Sequence, residues 1–239
     1  RFGIRTYNVA YRLTDSEFYT CIIGNSLSNP GDPTLFNNIH NNLYCCNQIG
    51  IQSNLASPVI KTTTFQRSCD EADGSSSGGC LFNNNFDNIG VLLRASDGFF
   101  IGEQCVWAPS TGSSGSGIGN AGVEYGIVLQ NSVAGKIHDS EFYNNRHCIY
   151  VLEYNKGVST CKLNFQNYLR DAIHIGISQP EAQGNPFDPD DDVYETNATT
   201  QHILGWQGNC SNANIQRPVG NTFNPNPNFN NILSLYAEL

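Results

Sequence analysis

The chain has 239 residues, enough to bury a sizeable core in one elongated domain or in two compact ones. Only 14% of the residues are charged, well under the usual figure of about 25%, and 23 Gly stand among many Ser and Asn, a composition that favours turn-rich β structure over helix. The formal net charge of −9 argues against a phosphate-backbone ligand, because nucleic-acid binding needs a Lys/Arg surplus to displace counterions.

Residues 1–48 hold two strand-like pieces, Thr20-Cys-Ile-Ile and Asn42-Leu-Tyr-Cys-Cys, separated by a turn-rich stretch at 25–33. They read as irregular first coils of a domain spanning 1–176, whose regular part is 50–176. Gly50-Ile-Gln-Ser opens a stretch that reaches Ile60 and Phe65 and runs into a loop bracketed by Cys69 and Cys80, where a disulfide would clip the base. Gly90-Val-Leu-Leu opens the next, with Gly98, Ile101 and Val106 in corresponding places, before a Gly/Ser insertion at 110–120. Gly126-Ile-Val-Leu, Cys148-Ile-Tyr-Val and Ala172-Ile-His-Ile then recur at spacings of 22 and 24 residues. The first two are followed by Gly135 or Gly157, by a second apolar stretch ending at Phe142 or Phe165, and by a polar turn. A period in the twenties, made of short alternating strands and Asn/Gly turns without helix-length apolar stripes, predicts an all-β solenoid of parallel strands.

After Gly176 the repeat fades, so 177–239 is expected as a loop-rich C-terminal cap over strand edges that would otherwise stay open. Its acidic run, Asp188 to Asp192, lacks the spacing of an EF-hand and reads as a solvated loop. No run of about 18 apolar residues occurs, so no membrane insertion is expected. The chain starts at Arg1 and contains no Met, which reads as a processed protein or a piece of a longer one. Nine Cys leave at least one thiol unpaired within the chain, and the redox compartment stays open. Cys148 shares its column with Gly126 and Ala172 and reads as a small buried core residue.

Setting 50, 90, 126, 148 and 172 in register sorts the side chains by face. One and three places on stand Ile51/Ser53, Val91/Leu93, Ile127/Leu129, Ile149/Val151 and Ile173/Ile175, nearly all apolar and therefore inward. The outward columns are Asn88, Glu124, Arg146 and Arg170 two places before, and Gln52, Leu92, Val128, Tyr150 and His174 two places after. Stacked strands lie about 4.8 Å apart, so Glu124 is expected beside Arg146 and Arg146 beside Arg170. That ladder is either a set of surface ion pairs or a fork for a sugar carboxylate. Tyr150, His174 and Trp107 are candidate stacking surfaces for sugar rings.

Aligning the second strands on Ile60, Ile101, Ile137 and Thr160 puts Thr62, Glu103, Asp139 and Lys162 in one column. Glu103 and Asp139 on adjacent repeats would stand about 5 Å apart, the separation a retaining glycosidase uses, and Glu141 completes the candidate catalytic set. The competing account is a row of solvated outer-face charges, one of them paired with Lys162. No P-loop, GxSxG, HExxH or zinc-spaced Cys/His set is present, so no metal and no cofactor is expected.

The GIxL-type strand starts (Gly90-Val-Leu-Leu, Gly126-Ile-Val-Leu), the second strands ending in Phe and the Asn-Asn turns (Phe82-Asn-Asn-Asn, Tyr143-Asn-Asn) resemble the right-handed single-stranded parallel β-helix of the pectate-lyase-like superfamily, and within it the bacteriophage tailspikes. The resemblance covers roughly residues 50–176 and specifies architecture, not catalytic residues. Members of that superfamily mostly bind or cleave acidic or branched polysaccharides by hydrolysis or β-elimination, and tailspikes assemble as trimers. The resemblance therefore implies a polysaccharide partner, a homotrimer, and a place outside the cell or on a virion surface. The calcium-binding Asp cluster and catalytic Arg of pectate lyases have no counterpart. Against a receptor-binding protein that also depolymerises glycan stands a reading from another class, a non-enzymatic structural or adhesive module.

Overall fold

The computed structural model describes residues 2–67, 88–108, 122–152, 155–166 and five strands farther on, at 171–175, 193–195, 206–209, 212–218 and 222–224. All the regular structure among them is β, in 21 strands. The first sheet takes one strand per repeat: β1 (Phe2–Tyr7), β4 (Ile23–Ser28), β7 (Ile49–Asn54), β10 (Ile89–Arg94), β13 (Tyr125–Gln130), β15 (His147–Leu152) and β17 (Asp171–Ile175). Every neighbouring pair in it is parallel.

The second sheet collects the rest of each repeat in two rows. One row is β2 (Tyr11–Thr14), β5 (Phe36–His40), β8 (Ser57–Lys61) and β11 (Phe100–Gly102). The other is β3 (Glu17–Tyr19), β6 (Leu43–Cys45), β9 (Thr64–Gln66) and β12 (Cys105–Ala108). The longer β14 (Lys136–Tyr143) pairs with β11 through its first half and with β12 through its second, and β16 (Ser159–Gln166) follows β14 along its whole length. Among the described residues no helix is long and apolar enough to cross a membrane.

The core lies between the two sheets and is ordered by one pairing rule. Gly3, Gly24, Gly50, Gly90 and Gly126 share a column of the first sheet, and a Cβ on any of them would collide with an aromatic ring of its own repeat: Phe18, Tyr44, Phe65, Trp107 or Phe142. Those rings, with Phe165, stack one per repeat at centroid separations of 4.9, 5.3, 5.1, 4.4 and 5.1 Å. Glycine is required here for the close approach of the ring, and not for an unusual backbone angle. Of the expected inward columns, Ile51, Val91, Leu93, Ile127 and Leu129 are fully enclosed, and Leu92 and Val128, expected outward, are buried as well. Cys148 is buried as well.

The turns repeat as strictly as the strands. Asp15, Asn41, Thr62, Asp139 and Lys162 each take a left-handed backbone angle at the corner between the two rows of the second sheet. At four of these corners the next residue tucks a small polar side chain beneath: Ser16, Thr63 and Ser140 donate from their hydroxyls, and Asn42 from its amide, to the carbonyl two residues back, whereas Lys162 is followed by buried Leu163. Those four corners thereby satisfy a backbone acceptor that bending the chain would strand.

Two expectations about the ends change. Residues 2–48 are not irregular, because β1, β4 and β7 hold the same register as the later strands. Their periodicity is masked because buried Asn25 occupies the inward place that Ile51 holds one repeat on, and Asn29 and Asn37 are buried too. Past Gly176, β18 (Val193–Glu195) and β21 (Thr222–Asn224) extend the second sheet in parallel, with Tyr194 and Phe223 in register with Phe165. The same stretch also contains an antiparallel pair, β19 (Trp206–Asn209) and β20 (Asn212–Pro218). The described residues of 177–239 therefore include repeat-like strands, and the rest of the expected cap lies outside the described residues.

Candidate functional site

The outer face of the first sheet gathers one group of the candidate residues. The register sets Tyr125 opposite His147 and Val128 opposite Tyr150, and Tyr150 opposite His174. Gly126 and Ile127 both turn inward, so the residue before each strand's small residue shares the outer face with the residue two places after it. As a result Tyr125 and His147 stack at 4.8 Å with planes 6° apart. Tyr150 stands across both at 74°, with centroids 5.3 and 5.2 Å away. His147 is buried under this arrangement, and Tyr125 and Tyr150 stay partly exposed.

At the edge of the cluster the expected ion pair forms: Arg146 donates from Nη1 to Glu124 Oε1 at 2.7 Å. The His147 amide donates to the Glu124 carbonyl at 2.9 Å, which ties the pair to the rings. Arg146 is half exposed, so this ion pair contributes little to stability and leaves its guanidinium open to solvent. Apolar rings beside a charged, solvent-facing fork can hold a ring-shaped polar ligand through its flat face and its substituents.

The carboxylates lie elsewhere. The alignment on Ile60, Ile101, Ile137 and Thr160 is the observed register, so Glu103 and Asp139 do share a column. That column is the left-handed corner of the second sheet, separated from the first sheet in each repeat by a strand segment and a turn in both directions. The corner at Glu103 also carries an extra residue: Ile101 pairs with Ile137, yet Cys105 pairs with Ser140. Glu103 and Gln104 are both left-handed, a bulge in which two residues oppose one.

The bulge directs Glu103 to the preceding repeat. Its partner is Lys61, at 2.5 Å. Thr62 also donates to the Glu103 carbonyl, from Oγ1 at 2.9 Å and from its amide at 3.1 Å. Lys61 lies over the Phe100 ring as well, at 5.5 Å. Glu141, one row on, accepts a hydrogen bond from the Tyr143 hydroxyl at 2.6 Å. Glu124, Arg146 and Tyr150 thus come together, whereas Glu103, Asp139 and Glu141 stand on another side of the repeat.

Trp107 is a correction. It is fully buried between Phe65 and Phe142, so it cannot stack on a sugar, and its role is to fill the space left by Gly90. Arg170, the side chain of His174, the Cys69–Cys80 loop, the 110–120 insertion and the Asp188–Asp192 run lie outside the described residues. Tyr125 and His147 are functional candidates that sequence reasoning missed. The available signal was an aromatic residue directly before the small residue of two successive strands, in a column occupied earlier by Ile49 and Ile89.

Among the described residues no group of three or more His, Cys, Asp or Glu is arranged to hold a metal. Cys45, Cys46 and Cys161 are in disulfides. Cys105 is a buried thiol whose pKa burial pushes up to about 12. Burial also raises Tyr11 to about 12, against the smaller opposing effect of Asn25, and raises Tyr44 further. Neither tyrosine hydroxyl closes a hydrogen bond of standard geometry, whereas the Cys105 thiol donates to the Gly102 and Ile60 carbonyls at 3.2 and 3.6 Å. Comparison with protein-family models, curated proteins and solved structures finds no match for the chain.

Proposed function

We propose that the chain is a right-handed parallel β-helix, of the kind found in the pectate-lyase-like superfamily and its tailspikes, and that it recognises polysaccharide through the outer face of its first sheet. The parallel order of both sheets and the single strand each repeat adds to the first sheet support the architecture. The observation that carries the function is the Tyr125–His147–Tyr150 cluster beside the Glu124–Arg146 pair, because it joins flat apolar rings to a solvent-facing cation on one rigid surface. The disulfides at Cys45, Cys46 and Cys161 support an oxidising, extracellular setting or a virion surface.

The carboxylates stand at a corner away from this cluster, which favours recognition without cleavage at the same place. The test is a panel of capsular polysaccharides and lipopolysaccharides, with binding, reducing ends and absorbance near 235 nm followed together. Wild type binds a subset, and Tyr150→Ala and Arg146→Ala each lower affinity at least about tenfold, as central contacts do. Reducing ends alone would add hydrolysis to the function, and both chemical signals would add elimination. Silence across the panel would replace this reading with a structural or adhesive spacer.

A further inference from the structure

The repeat built from β4, β5 and β6 departs from its neighbours on the inside. Register puts Asn25 between Ile4 and Ile51, in an inward column that continues as Val91, Ile127 and Ile149. The stacked ring of the same repeat is Tyr44, which alone among the six rings from Phe18 to Phe165 carries a hydroxyl. The second sheet adds Tyr11 and, in register with it one strand on, buried Asn37. Polar groups thus replace apolar ones at facing places of one repeat.

These groups are enclosed and unmet. Asn25 and Tyr44 are 0% and 1% exposed. Both polar atoms of the Asn25 amide and the hydroxyls of Tyr11 and Tyr44 are buried without a hydrogen bond, and so is Oδ1 of Asn37, whose Nδ2 donates to the Leu35 carbonyl at 2.7 Å. The amide of Asn25 faces both hydroxyls, since it counters part of the burial that raises the two phenols, yet no direct bond of standard geometry closes between them. An unmet polar group is costly in a core. Ile51 and Phe65, one repeat on, show that the same places accept apolar side chains. The polar set therefore needs a partner of its own.

The chemistry of the set selects that partner. Two hydroxyls and an amide offer donors and acceptors together and carry no charge. No Asp, Glu, Lys or Arg is buried among the described residues, so an ion enclosed here would lack a countercharge. A metal cation would also use the oxygens alone and leave the amide hydrogens unmet. Water both donates and accepts, and a buried water makes about three hydrogen bonds to groups of this kind. We propose that Tyr11, Asn25 and Tyr44 form an internal hydration site, in which an ordered water links the two phenol hydroxyls to the Asn25 amide. An enclosed water meets the hydroxyls without admitting bulk solvent, so the phenols still resist ionisation. The site lies between the two sheets and is independent of the glycan reading.

Water-directed NMR on the full chain is the first test. Magnetisation from water should reach the Asn25 amide and the Tyr44 ring with the sign of a water that tumbles with the protein, and the transfer to Tyr44 should vanish in Asn25→Ile. Stability is the second. Asn25→Ile installs the side chain of the next repeat, displaces the water and strands two hydroxyls, so the melting temperature falls by a few degrees. Adding Tyr44→Phe removes one stranded hydroxyl and recovers part of that loss. A dry interior predicts the opposite sign, because Asn25→Ile then deletes two unmet atoms; a melting temperature that holds or rises overturns the proposal. Wild type without transfer to either residue overturns it as well, since the three groups would then bond to one another directly. If Asn25→Ile does not fold, the transfer in wild type decides alone.

Discussion

The molecule contains two sets of stacked rings, and they obey different rules. The inner set runs from Phe18 to Phe165 with one ring per repeat and planes 4 to 18° apart, each ring facing a small residue of the first sheet. The outer set is confined to Tyr125, His147 and Tyr150 on two neighbouring strands, with one ring turned across the other two. A feature present in every repeat is demanded by packing, since each repeat must fill the same space. A feature present in only two of the described repeats is not, and that contrast separates what the architecture requires from what is free for the proposed recognition.

The strongest way to break the inner set is Trp107→Ala. Among the described residues Trp107 is the largest fully buried side chain, it touches rings on both sides, and Gly90 offers nothing to fill the space it would leave. Truncating a buried Trp costs about 3–5 kcal/mol, and chemical denaturation should register most of that loss. Tyr150→Ala on the outer set should shift the denaturation midpoint hardly at all while removing glycan affinity. Equal destabilisation by the two substitutions would erase the distinction between the sets.

How much of this was legible in the sequence follows from the same contrast. The inward columns from 50 to 176 could be read because Ile, Val and Leu alternate with polar residues at a fixed period, and the register on Ile60, Ile101, Ile137 and Thr160 followed directly. The first repeats were hidden because Asn25, Asn29 and Asn37 are buried, and a buried Asn has the same letter as a turn Asn. The outer pair of Glu124 and Arg146 emerged from the register. The cluster beside it did not, since alternation alone places Tyr125 inward with Ile127; the bend at Gly126, where two successive residues face in, is set by the Phe142 ring packed against it. Trp107 was misread for a related reason: a large aromatic near an insertion looks exposed until its partner glycine, 17 residues back in the chain, is known.

A smaller effect comes from raising the pH, which acts on the inner set and its surroundings. In the unfolded chain a phenol loses its proton near 10 and a thiol near 9, whereas burial holds Cys105 up to about 12 and raises Tyr44 strongly in the folded protein. Below those unfolded values both states carry the protons and the groups leave stability unchanged. Above them the unfolded state sheds protons that the folded state keeps, so stability falls as pH rises, by about 1.4 kcal/mol per pH unit for each fully buried group. The melting temperature should therefore drop steadily from pH 9 to pH 11, and Cys105→Ala should remove part of the slope. A melting temperature that stays level across this interval would show that these groups are not held dry.

The smallest expected effect concerns the corner that carries the carboxylates. Lys61 and Glu103 form a short ion pair, but their side chains are 29% and 53% exposed, and pairs so open to water contribute about 0–1 kcal/mol. Glu103→Gln should leave the melting temperature almost unchanged. Asp139→Asn keeps the shape of the left-handed corner, a position Asn tolerates well. Neither substitution should alter glycan affinity by more than about twofold if binding belongs to the outer face of the first sheet. Should wild type release reducing ends and both variants stop doing so with affinity intact, the corner becomes a hydrolytic centre served by a separate binding face. Should affinity itself fall in either variant, the outer ring set loses its claim to be the place of recognition, and the Glu103–Gln104 bulge takes it over.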